Sequence, residues 1–217
     1  MSIADTHEHA APPPIEHDGG RATSTDAAPP MRPEDPKSLR EGRGRVHLIV
    51  GPVGAGKSTL ARELVRERGA VHMNLDEWMA VLFRPDRPDS GFVQWYVERA
   101  ARFVEQIWRT ALCLTERRTD VVLEVGLLLR RERDAFYRRV AAADVAMTVY
   151  VVDAARDVRR ERVEQRNRQS DAQGDGTFVV VVTPEMFELA SDFWEPPGSD
   201  ECLGRDIRFL RTDGGGT

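Results

Sequence analysis

The chain has 217 residues, 31 basic against 36 acidic, a formal net charge of -5 and two cysteines. That length suits one domain with a substantial core, and the acidic balance argues against a protein built mainly to coat nucleic acid. Cys113 and Cys202 supply neither a disulfide framework nor a zinc set, which fits a reduced, cytoplasmic setting, and no run approaches the ~18 apolar residues of a membrane span.

Residues 1–42 hold seven of the 13 prolines and three of the five histidines, with almost no large apolar residues. Such a segment buries too little surface to offset the entropy of ordering, so a disordered tail over 1–42 is expected ahead of a folded domain over 43–217. The tail lacks the basic start and apolar stretch of a secretory signal. Its HEH tract, with histidines scattered through a tail, is read as no metal site.

The first apolar run, RVHLIVG, reads as a strand that ends at GPVGAGKSTL, residues 51–60. This stretch fits G-x-x-x-x-G-K-[ST], with Gly51, Gly56, Lys57 and Ser58 at the defining positions. In such a loop the backbone N–H groups of Gly51, Pro52, Val53, Gly54, Ala55, Gly56, Lys57, Ser58 and Thr59, proline excepted, line a cradle for phosphate oxygens. The helix that follows presents its positive end to the anion. Ser58 would offer a hydroxyl to Mg²⁺. Lys57 is informative by rarity: it and Lys37 are the only lysines against 29 arginines. A slim ammonium reaches between two phosphates where a planar guanidinium is too wide.

STLARELVRERG then places Leu60, Leu64 and Val65 on one helical face, with Gly69 as C-cap. AVHMN reads as a short strand, LDEWMAVLF as a helix opening at Asp76, and RPDRPDSG as a loop. In residues 92–118, Phe92, Tyr96, Ala100, Phe103, Ile107, Ala111 and Leu114 recur every three or four positions, the stripe of a long helix. TDVVLEVGL is a buried strand, RRERDAFYRRVAAA a helix and VAMTVYVVD another buried strand. AARDVRRERVEQRNRQ is an Arg-rich helix leading into a loop, SDAQGDG, and FVVVV is extended. TPEMFELASDFW is a helix with Thr183 as N-cap and Pro184 at its first position, and DIRFLRT is the last strand. Strands alternating with helices imply a parallel sheet covered on both faces.

GPVGAGKSTLAREL, MNLDEWM, DVVLEVGLLLRRERD, and RRERVEQRN followed by TPEMF and FWEPP together resemble the small P-loop kinases grouped with phage polynucleotide 5′-hydroxyl kinase and the chloramphenicol phosphotransferases. The likeness runs over roughly residues 45 to 202. It implies an α/β P-loop NTPase fold with a five-stranded parallel sheet in the order 2-3-1-4-5, helices on both sides and an Arg-rich lid. It also implies ATP with Mg²⁺ and transfer of the γ-phosphoryl group to a hydroxyl of a small molecule or of a nucleic-acid end. An AAA-type ATPase, or a nucleotide-binding regulatory module without an acceptor, is the alternative.

Asp76 stands where this family's aspartate takes the proton from the attacking hydroxyl. Residues beyond the carboxyl ends of neighbouring parallel strands converge on one crevice, so a carboxylate there can orient a hydroxyl toward the phosphate. Asp76 would also suit an N-cap, and Glu77 is the adjacent fallback. Glu124 ends its strand where many P-loop enzymes have a magnesium-directed aspartate; metal ligation and a buried pairing with the P-loop are both open. Arg133 matches an arginine that the family often shows, and as a helix-surface charge it would face solvent. Arg162 and Arg166, four apart on the Arg-rich helix, are the lid candidates, Arg166 foremost. Trp78, Phe83, Arg84, Arg87 and Trp95 flank the acceptor region, and aromatics at helical spacing are more often core.

Overall fold

Continuous β-branched and aliphatic runs build the middle of the sheet. In the computed structural model, which describes residues 42–88, 90–173 and 181–213, every residue of β1 (Val46–Val50) and of β3 (Val121–Glu124) is buried. β4 (Met147–Asp153) is buried along its middle. Leu48 sits opposite Leu123 on one side and Val149 on the other. With β2 (Val71–Asn74) and β5 (Asp206–Arg211) at the edges, the sheet is all-parallel in the order 2-3-1-4-5, as the resemblance implies. The described residues all fall within one compact unit.

Helices cover the two faces. On one, Leu75 and Met79 of α2 (Leu75–Phe83), Ile107, Trp108 and Ala111 of α3 (Phe92–Glu116), and Phe136 and Val140 of α4 (Arg130–Ala142) pack on Val46, Leu48, Val121 and Leu123. On the other, Ala61 and Leu64 of α1 (Lys57–Arg68) pack on Ile49, Val122 and Val152. Each fully buried aliphatic side chain contributes about 1.5–3 kcal/mol by leaving water. α1 ends at Gly69 as expected, in the left-handed region at φ 63, with its amide on the Val65 carbonyl. α6 (Pro184–Asp192) starts at Thr183, whose side chain accepts the Met186 amide.

Four local expectations change. α5 (Arg156–Gln173) continues through Ser170, because no Gly or Pro interrupts the chain before Gly174. Residues 174–176 of the expected SDAQGDG loop, most of FVVVV and the tail up to residue 41 lie outside the described residues, while 171–173 belong to α5. Val182 is not in a strand; its backbone is held by the Asn167 side chain, which donates to Val182 O at 2.8 Å. A short helix α7 (Ser199–Cys202) follows FWEPP, and β5 is exposed along most of its length, so coverage of both faces holds for the central strands.

Candidate active site

The phosphate loop joins β1 to α1 and admits only glycine at its closest approaches. Gly51 has φ 150, and a Cβ there would lie 2.0 Å from the Val152 carbonyl oxygen; at Gly54, φ 79, it would lie 2.5 Å from that of Arg159. Both contacts are with backbone, so no side-chain adjustment relieves them. The N–H groups of Gly54, Gly56, Lys57 and Ser58 find no protein acceptor among the described residues. A row of donors at a helix N-terminus fits an anion.

Lys57 Nζ folds back over the loop and donates to the carbonyls of Gly51 and Pro52 at 3.0 and 2.9 Å. Burial pushes its pKa below the ordinary lysine value. The charges of Glu124 and Asp76 oppose that shift, and those of Arg166 and Arg159 add to it. Lys57, Asp76, Glu124 and Arg166 therefore share one electrostatic neighbourhood, although they come from α1, α2, β3 and α5.

Glu124, 6% exposed, is the hub of this wall. Ser58 Oγ donates to its Oε2 at 3.1 Å and His72 Nε2 lies 2.8 Å from its Oε1. Asn74 pairs with Glu124 in the β2–β3 register, which brings His72, two residues earlier, onto the same face of the sheet. His72 was not singled out from sequence; the signal was its alternation with Asn74 beside a carboxylate-ended strand.

Asp76 lies in the first turn of α2, one residue inside it. The cap is supplied by Asn74, whose Oδ1 accepts the Glu77 amide at 3.2 Å. Asp76 Oδ1 instead accepts a hydrogen bond from the Tyr96 hydroxyl at 2.8 Å. Tyr96 belongs to the apolar stripe of α3, and its phenol is thus a polar tip on a core position. Burial raises the Tyr96 pKa, and the charge and hydrogen bond of Asp76 raise it further.

On α5 the arginines divide by partner. Arg156 and Arg160 pair with Glu188 of α6. Arg159, 6% exposed, donates to the carbonyls of Ala154 and Val53 at 3.0 and 3.2 Å and to Ser191 Oγ at 3.0 Å, so it ties the phosphate loop to α5 and α6. Arg162 donates to Thr212 Oγ1 at 2.8 Å, and Thr212 in turn donates to the Ala55 carbonyl at 2.8 Å. Arg166 lies on an exposed stretch of α5. Desolvation lowers its pKa, and Asp76 is the charge that opposes the shift.

Arg133 neither faces solvent nor reaches the site. It is fully buried, with Nε and Nη2 on the two carboxylate oxygens of Glu201 at 2.7 and 3.0 Å and Nη1 on the Leu128 carbonyl at 2.9 Å. The partner sits on α7, which periodicity did not reveal. Trp78 and Phe83 pack edge-on against Phe103 and are partly buried against the core. Arg87 lies 4.1 Å over the Phe92 ring and Arg99 lies 4.4 Å over that of Trp95.

No group of three or more His, Cys, Asp or Glu side chains able to hold a metal ion occurs among the described residues, and no described helix is long and apolar enough to cross a membrane. Ser58 and Glu124 form a small set of hard oxygen donors. That suits a cation such as Mg²⁺, which keeps several waters and takes further ligands from phosphate.

Solved structures share the fold. A candidate kinase from Chloroflexus aurantiacus J-10-fl matches at TM-score 0.60 and 18% identity, over 79% of this chain and 90% of its own. Kti12 from Chaetomium thermophilum, solved with ADP-AlF3, matches at TM-score 0.54 and 16% identity, over 77% and 89%. No curated protein matches the sequence. The family described as AAA domain, AAA_33, matches residues 46–181; the chain, with its glycine cradle and 2-3-1-4-5 sheet, belongs to that family of P-loop proteins.

Proposed function

We propose that the chain is an ATP-dependent kinase that transfers the γ-phosphoryl group to a hydroxyl of a small molecule or of a nucleic-acid end. The observation that carries this reading is the Asp76 carboxylate. It is oriented by Tyr96 and lies in the electrostatic neighbourhood of Lys57 and Arg166. Binding a nucleotide requires only the loop; a carboxylate facing it is the part that an acceptor hydroxyl needs. The shared fold with a candidate kinase and with a protein solved with ADP-AlF3 supports the same reading.

In the proposed reaction the acceptor hydroxyl gives its proton to Asp76 as its oxygen bonds to the γ-phosphorus. The bond from that phosphorus to the β–γ bridging oxygen breaks, and ADP leaves. The loop N–H groups and Lys57 hold the phosphates, for which Nζ exchanges its bonds to Gly51 and Pro52. Mg²⁺, held through Ser58 and Glu124, would neutralise developing phosphate charge. Arg166 acts as a lid residue of α5, stabilising negative charge on the transferring group. Arg162 supports that helix through Thr212. The functional domain begins at residue 43, and the free cysteines suit the cytoplasm.

The test is turnover of the purified chain with ATP and Mg²⁺ against nucleosides, 5′-hydroxyl oligonucleotides and hydroxylated antibiotics. A labelled γ-phosphate should appear on one acceptor class. Acceptor-independent hydrolysis that grows with oligomerisation would instead indicate a motor.

A further inference from the structure

The geometry points to His72 as a positioning residue that sets the reach of Glu124 toward the Ser58 hydroxyl. This inference rests on the kinase reading, in which Ser58 and Glu124 face the cation. A carboxylate one methylene longer than aspartate has an additional torsion, and at the end of β3 that freedom has to be removed if the group is to act at a defined point. His72 removes it. Its Nε2 is 2.8 Å from Glu124 Oε1, and because an ionised carboxylate only accepts, the imidazole must carry its proton on Nε2 and donate. The second oxygen, Oε2, is then left facing Ser58 at 3.1 Å.

Three features make this more than a generic buried pair. His72 and Glu124 lie on adjacent parallel strands and on the same face, two residues out of direct register, so the backbone fixes the spacing between them. Glu124 is nearly inaccessible, whereas the His72 side chain retains 22% of its surface. His72 stands on the edge strand β2, so the imidazole meets the carboxylate from the edge of the sheet. Finally, each carboxylate oxygen has a separate partner, His72 on one and Ser58 on the other, so loss of the first frees the second to turn away. Partners that orient a ligating carboxylate in this way typically change metal affinity 10–100-fold when removed.

Fluorescent ADP titrations in Mg²⁺ and in EDTA test this. In the wild type Mg²⁺ should tighten binding. His72→Ala should shrink that Mg²⁺-dependent gain by ~10-fold or more and leave the affinity in EDTA unchanged. His72→Gln, which keeps a donor near the ε position, should retain most of it. In a Glu124→Asp background the shorter carboxylate no longer spans both partners, so adding His72→Ala should have little further effect. Equal loss with and without Mg²⁺, a full Mg²⁺ gain in His72→Ala, or an undiminished His72→Ala effect in the Asp background would each overturn the assignment. A wild-type chain whose nucleotide affinity ignores Mg²⁺ would overturn the kinase reading itself, and this inference with it.

Discussion

The Tyr96 hydroxyl donates to Asp76 across the α2–α3 interface at 2.8 Å, while Asn74 caps the helix on which Asp76 sits. Capping and the carboxylate's orientation are thereby assigned to different residues, and mutation can separate them.

Asp76→Asn should lower acceptor phosphorylation by ~10² to 10⁴-fold, the usual span for losing a positioned acid or base, with nucleotide affinity nearly intact. Asp76→Ala should behave alike, with only a small change in melting temperature. Asn74→Ala should do the reverse, losing about 1 kcal/mol of stability with modest change in the chemical step. Single-turnover transfer and thermal melting on the three variants check this; a fully active Asp76→Asn chain would shift the base assignment to Glu77.

Tyr96 has its pKa raised, from an ordinary 10.0, by burial and by Asp76. A group whose folded pKa is raised contributes stability that is fully present below the unfolded value and is lost as pH climbs toward the folded one. Between about pH 9.5 and 11 the wild type should therefore lose stability more steeply than Tyr96→Phe, and urea melts across that window measure the difference. At neutral pH the same variant should also slow phosphoryl transfer by roughly tenfold through a less ordered Asp76.

Lys57→Arg should fail nearly as badly as Lys57→Ala. The ammonium reaches two loop carbonyls from a half-buried position, and a guanidinium is too broad for that space. Near-native ATP turnover in the Arg variant would show that charge alone suffices there.

Arg166→Ala should slow the chemical step by ~10³-fold, by analogy with arginines that meet transition-state charge, with ATP binding little changed. Arg162→Ala breaks the link to Thr212 and the phosphate loop, and should weaken nucleotide affinity more than the single-turnover rate. Equal rate losses in both variants would place both side chains at the reacting phosphate.

Arg133→Met should cost about 3–5 kcal/mol, because Glu201 is left buried without its cation, with only the Tyr137 hydroxyl still donating to it. Below its lowered melting temperature the variant should keep near-wild-type turnover. The double variant Arg133→Met/Glu201→Leu should recover most of the stability, which chemical denaturation would show.

Much of this protein was legible before its tertiary structure. The strand–loop–helix around Lys57, the stripe of α3 and the Gly69 and Thr183 caps follow from periodicity, turn chemistry and motif, all of which act over a few residues or one supersecondary unit, whereas the sheet order came from the family resemblance. What tertiary structure decided was the partner of each polar side chain. Asp76 finds Tyr96 twenty residues away, His72 finds Glu124 across fifty-two and Arg133 finds Glu201 across sixty-eight. Sequence leaves such pairings open because strand register and helix packing set them, and a shift of one position would turn each side chain to another face. The arginines of α5 look alike in one dimension. Folding buries Arg159 against the phosphate loop, ties Arg162 to Thr212 and leaves Arg166 near Asp76, because residues three and four apart on a helix meet different neighbours once the helix is docked.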